Sequence, residues 1–178
     1  MKRASRLALK EWAVVVRAVG EGRQSILLRK GGIADEAGAF RLKEQEFFLY
    51  PTFEHQVAAL LRPDRADDIP LSVEQRPAPG KVLLDTYVEA IDSRVITSEA
   101  EAAGFLAGSI WSIDYVRQRL AYKPEKPLLL VTVRAHRLWR PHLIKETPAQ
   151  AGCVSWVPLD APLSTGPSTP VALSRPLE

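Results

Sequence analysis

The chain has 178 residues, 46% of them hydrophobic and 25% charged, with a formal net charge of +3. That length fits one domain able to bury roughly 70% of its unfolded surface, and the composition excludes a fibrous or disordered chain. A single cysteine excludes an intrachain disulfide and a paired-cysteine zinc site, and apolar runs of about five residues fall far short of the ~20 of a membrane span.

In chain order, the β-branched run around Val14-Val15-Val16 predicts a strand over 10–19. Gly20-Glu21-Gly22 then reads as a hairpin loop, with 24–30 as its antiparallel partner. Residues 31–45, interrupted by Gly31, Gly32 and Gly38, read as a loop, and 46–50 as a short strand. Pro51-Thr52 reads as a helix entry, with Thr52 as N-cap, Glu54 in the first turn and a helix to Pro63. The prolines of 63–80 predict a surface connection. Residues 81–91 alternate, with Val82, Leu84, Thr86, Val88 and Ala90 on one face and Asp85, Tyr87 and Glu89 on a face toward water. Ser98-Glu99-Ala100-Glu101 has the form of a capping box and predicts a short helix; a second is predicted over 112–121. Leu128 to Trp139 is the strongest strand pattern. Prolines crowd the rest, so 1–160 is expected to form the domain and 161–178 a loose tail.

These elements predict an α+β fold: a mainly antiparallel sheet of four to five strands with about three short helices. The order of hairpin, helices and long late strand fits the twisted half-barrel of PUA-like RNA- and DNA-binding modules, a fold-level analogy.

Several catalytic designs have no match. There is no Gly-x-Ser-x-Gly, no lysine follows an acidic residue at the spacing of a restriction-type nuclease, and no Lys-Ser/Thr completes a Walker loop. No cofactor or metal site is predicted, and His55, His136 and His142 have no ligand spacing. Met1-Lys2-Arg3 is basic, but no apolar signal core follows, so a cytoplasmic protein without a membrane partner is expected. The sequence leaves its oligomeric state open. The densest polar features are Arg29-Lys30-Gly31-Gly32, where adjacent cations meet glycines able to bring backbone N–H groups to an anion, and the cluster of Tyr50, His55 and Gln56. With Arg41 and Lys43 they form the candidate ligand-binding set. His55 and Gln56 are expected to project from the first turn of a helix over 52–62 toward the glycines. Arg117 and Arg119 precede the long strand, and Tyr50, Trp111, Tyr122, Trp139 and Trp156 are aromatic residues suited to stacking on bases.

Leu27-Leu28-Arg29-Lys30-Gly31-Gly32-Ile33, Phe48-Leu49-Tyr50-Pro51-Thr52 with His55-Gln56, Lys126-Pro127-Leu128 and Gly152-Cys153-Val154-Ser155-Trp156 together resemble a bacterial family known as domain of unknown function 1802, over about residues 9–160. The resemblance implies a nucleic-acid setting, through an association with restriction–modification subunits, and assigns no catalytic residue. The leading expectation is a non-enzymatic binding module for nucleic acid or another phosphate-bearing partner. The alternatives are a metal-dependent phosphodiesterase built on Glu54, His55 and Asp85, and a structural subunit of a larger complex.

Overall fold

The computed structural model describes residues 2–30, 42, 44–152 and 154–174. Among these, seven strands and five α-helices form an α+β fold with a mostly antiparallel open sheet, more elements than the four to five strands and three helices expected. The strands are β1 (Ala4–Trp12), β2 (Ile26–Lys30), β3 (Glu46–Thr52), β4 (Lys81–Ile96), β5 (Leu128–Lys145), β6 (Trp156–Ser164) and β7 (Ser168–Pro170). The helices are α1 (Ala13–Gly20), α2 (Asp68–Glu74), α3 (Glu99–Leu106), α4 (Ile113–Ala121) and α5 (Pro148–Ala151). Strand order is β2-β5-β4-β3-β1-β6, with β7 on β5; β1 and β3 are parallel and the other pairs antiparallel.

The first correction is at the N-terminus. The strand expected over 10–19 is the end of β1 followed at once by α1, and β2 pairs with β5, not with that segment. Ala13, Val14, Val15, Val16, Ala18 and Val19 are all buried. Arg17 is the one polar side chain in these eight residues, too little to mark a helical period, so valine's strand preference was the dominant local signal, and tertiary packing overrode it. Gly20-Glu21-Gly22 is the C-terminal turn of α1: the Glu21 N–H donates to the Arg17 carbonyl, and Gly22 has φ +74°. A Cβ on Gly22 would collide with the Ala172 carbonyl, so this turn lies directly against the C-terminal segment.

The second correction is the helix over 52–62. Thr52 instead ends β3, paired with Trp12 of β1. His55 has φ +63°, which breaks a right-handed helix, and only a single 3₁₀ turn, Ala58–Leu60, follows. The proline-rich connection holds α2, whose Pro70 sits in the first turn, where a missing N–H costs no helical bond.

β4 alternates as expected only up to Leu84. A register shift between Leu84 and Thr86 moves Tyr87 to the same apolar cluster as Val82 and Leu84, fully buried and not toward water. Alternate residues of β3 enter opposite clusters. Phe47 and Leu49 join the larger one, with α1 and much of β5; Phe48 and Tyr50 join the smaller one. α3 and α4 form as predicted, capped by the Ser98 and Ser112 side chains. Within the stretch expected to be loose, β6 runs to Ser164 against β1, and β7 pairs with β5.

Candidate functional site

β1 and β2 are separated in the sheet by β5, β4 and β3. Arg29 nevertheless reaches from β2 to β1: its Nη1 donates to the Lys10 carbonyl (2.9 Å) and to Glu11 Oε1 (2.8 Å). The sheet is therefore curled, as strand twist favours, until its first and fifth strands approach. α4 packs at the opening between them, where Lys30 Nζ donates to the Leu120 carbonyl near its end (3.1 Å).

A cleft of about 270 Å³ lies at this junction. Lys10, Arg29 and Arg119 supply three cations to its wall, Glu11 supplies one carboxylate, and Trp12 and Tyr115 supply aromatic surface. Glu11 is only 6% exposed at its side chain and Arg29 16%, so theirs is a largely dehydrated ion pair. Among the described residues, no carboxylate lies within ion-pair distance of Arg119, and its Nε is buried without a hydrogen-bond partner. The Arg119 guanidinium lies 5.9 Å from the Tyr115 ring centre and 5.8 Å from that of Tyr122. Arg29 Nε is likewise buried without a partner among those residues. Burial, and next the Arg119 charge alongside, pull the Lys30 ammonium below the ordinary lysine value. Burial pushes the Tyr115 phenol up to about 12. Like charges held together at an open cleft are the arrangement an anion relieves.

A second cleft, of about 250 Å³, shares Lys10 and Thr52 with the first and continues past Tyr50 toward Arg76 and Lys81. Tyr50 is buried; its hydroxyl donates to Glu146 Oε1 (2.7 Å), and Lys10 Nζ lies 5.2 Å from its ring centre. Burial and that carboxylate raise the Tyr50 phenol well above the ordinary tyrosine value.

Of the residues singled out from sequence, Arg29 and Lys30 come together beside this cleft, and Tyr50 faces the adjoining one. Gly31, Gly32, Arg41, Lys43 and Cys153 lie outside the described residues. His55 and Gln56 do not project from a helix. His55 is an exposed turn residue, while Gln56 Oε1 accepts the Val14 N–H at the start of α1 (2.9 Å), which makes it a helix cap supplied from a distant loop. The carboxylates considered for metal chemistry are engaged elsewhere: Asp85 with Arg137 (2.9 Å) and Glu54 with Arg76 (3.7 Å). No group of three or more His, Cys, Asp and Glu among the described residues is placed to hold a metal ion. Arg134 and His136 share Glu89, at 3.1 and 3.6 Å. Sequence reasoning missed Lys10, Glu11 and Trp12, which lay inside a segment assigned wholly to a strand. Arg119 and Tyr122 were visible as a cation and an aromatic residue, but nothing local placed either beside Arg29.

No helix is long and apolar enough to cross a membrane among the described residues. The sequence model described as "Domain of unknown function (DUF1802)" matches residues 8–177, and the chain belongs to that family. No curated protein matches the chain significantly. Two crystal structures of ZmASCH from Zymomonas mobilis, a serine-to-alanine and a tyrosine-to-phenylalanine mutant, are similar to it in fold. The first is 10% identical, covering 92% of this chain and 90% of its own, with a TM-score of 0.47. The second is 10% identical, covering 86% and 88%, with a TM-score of 0.48.

Proposed function

We propose that this member of the domain-of-unknown-function 1802 family is a binding module for nucleic acid or another phosphate-bearing partner, which it holds in the cleft between β1, β2 and α4. One observation carries the reading: three cations, Lys10, Arg29 and Arg119, converge on one concavity in which Glu11 is the single carboxylate among the described residues, with Lys30 alongside. Glu11 offsets Arg29, while Arg119 has no carboxylate within ion-pair distance among the described residues and keeps a planar guanidinium suited to phosphate oxygens.

Fluorescence anisotropy with labelled RNA and DNA oligonucleotides tests it. The protein binds at low salt, and Arg119→Ala and Lys30→Ala weaken binding while the far-ultraviolet dichroism stays unchanged. Absence of binding at low salt, or unaltered affinity in both folded variants, contradicts the proposal.

A further inference from the structure

The aromatic rings inside the cleft are already committed. Trp111 and Tyr115 stack on each other at 3.6 Å, and Trp12 lies 5.2 Å from Trp111 and 6.0 Å from Tyr115. Trp111 and Tyr115 are buried, so neither has a face to offer a ligand. Tyr122 differs. It stands one residue beyond α4, is 51% exposed, and has Arg119 at 5.8 Å and Lys123 Nζ at 5.1 Å from its ring centre. Arg119 also touches Tyr115 in the cleft wall, so a single guanidinium links the cleft to this outer ring.

We propose that the partner of the cleft is single-stranded nucleic acid, and that one of its bases stacks on the exposed ring of Tyr122. The inference rests on the phosphate-binding reading of the cleft and adds to it the class of strand and the residue that receives a base. A strand leaving the cleft over Arg119 meets Lys30, held near the end of α4, and Lys123, beside the Tyr122 ring, as phosphate partners. Cation contacts to an exposed ring are weaker than base stacking, so an arriving base displaces them and frees those cations for phosphate. Duplex keeps its bases stacked inside the helix, out of reach of the ring, and a concavity of about 270 Å³ is too small to admit it. Trp139 is also exposed, but its Nε1 donates to Thr169 Oγ1 and the cleft is lined by no residue of β5.

The experiment is anisotropy at one low salt concentration with four labelled probes of equal length: single-stranded RNA, single-stranded DNA, the corresponding duplex, and an abasic deoxyribose-phosphate strand. Both single strands are expected to bind more tightly than the duplex, and the tighter of the two identifies the sugar preferred. Tyr122→Ala weakens them by roughly fivefold or more, the effect of losing one stacked base. Tyr122→Phe, which keeps the ring, restores the affinity, and the abasic strand binds wild type and Tyr122→Ala alike. Because Tyr122 is exposed, the variants are expected to fold, which circular dichroism checks. Equal affinity for duplex and single strands, or an unchanged affinity in Tyr122→Ala, overturns the stacking inference. If Arg119→Ala still weakens every probe in that case, the phosphate-binding cleft stands without it. If no probe binds wild type, both readings fall.

Discussion

The ion pair between Arg29 and Glu11 sets up the most demanding test of the site's architecture. Arg29 holds two partners through one nitrogen: the Lys10 carbonyl at 2.9 Å and Glu11 Oε1 at 2.8 Å. Removing the arginine leaves a carboxylate that is 6% exposed without its counter-charge. Breaking a fully buried pair in this way costs ~3–5 kcal/mol, because the surviving charge stays dehydrated. Here the pair borders a water-accessible cleft, so Arg29→Ala is expected to cost about 2–4 kcal/mol at neutral pH. With a urea m-value of ~2 kcal/mol/M, the unfolding midpoint falls by ~1–2 M. The double variant Arg29→Met with Glu11→Gln removes both charges and recovers most of that loss, to within about 1 kcal/mol of wild type. The same Glu11→Gln change, made alone, deletes a carboxylate from the cleft wall and therefore strengthens binding of an anionic partner. Chemical denaturation of wild type, Arg29→Ala, Glu11→Gln and the double variant decides the matter. A cost below ~0.5 kcal/mol for Arg29→Ala, the worth of an exposed pair, would refute the claim that β2 and β1 are clamped across the curl of the sheet.

Two further outcomes follow from single contacts. Gln56→Ala removes the cap on the Val14 N–H and costs about 1 kcal/mol, read as a lowered denaturation midpoint, whereas a solvated glutamine would cost no more than ~0.5 kcal/mol. Glu46 is desolvated, which raises its pKa, but the Lys2 N–H and the Tyr87 hydroxyl both donate to it and together hold its carboxyl below the ordinary glutamate value. A depressed carboxylate contributes stability that is present above its unfolded value of ~4.3 and is lost as pH falls through the lower folded one. Denaturation midpoints measured down through that window should therefore drop more steeply in wild type than in Glu46→Gln. Parallel curves would mean that these hydrogen bonds do not favour the ionised form.

The parts of the fold that were legible are those whose local signals agree with their tertiary setting. α4 combines a serine N-cap with apolar residues at helical spacing, and the start of β5 concentrates leucine and valine. α1 was illegible because Arg17 alone interrupts its six buried residues, too little to mark a period, and its cap, Gln56, arrives from a loop 42 residues away. The bulge in β4 is invisible for a similar reason: Tyr87 changes side through one register shift that only the pairing with β5 reveals. At the site, adjacent Arg29 and Lys30 stood out as cations at a strand end. Their nearness to Arg119 and Lys10 depends on the sheet curling until β2 reaches β1, a property of the whole sheet and not of any segment. The placement of His55 and Gln56 on a helix failed because the positive φ of His55 does not allow that helix.

The measurement that bears most directly on the central claim is the salt dependence of binding to a single-stranded oligonucleotide, in wild type and in Arg119→Ala. Each phosphate neutralised on a single strand contributes about −0.7 to the slope of log K against log salt. Lys30 and Arg119, with Arg29 largely offset by Glu11 and the Lys10 ammonium held by the Gln150 and Gly152 carbonyls, predict a slope of about −1.4 for wild type. In Arg119→Ala the slope should become shallower by about 0.7 as the affinity falls. A wild-type slope near zero, or a slope that Arg119→Ala leaves unchanged, would contradict a phosphate-binding cleft at this position.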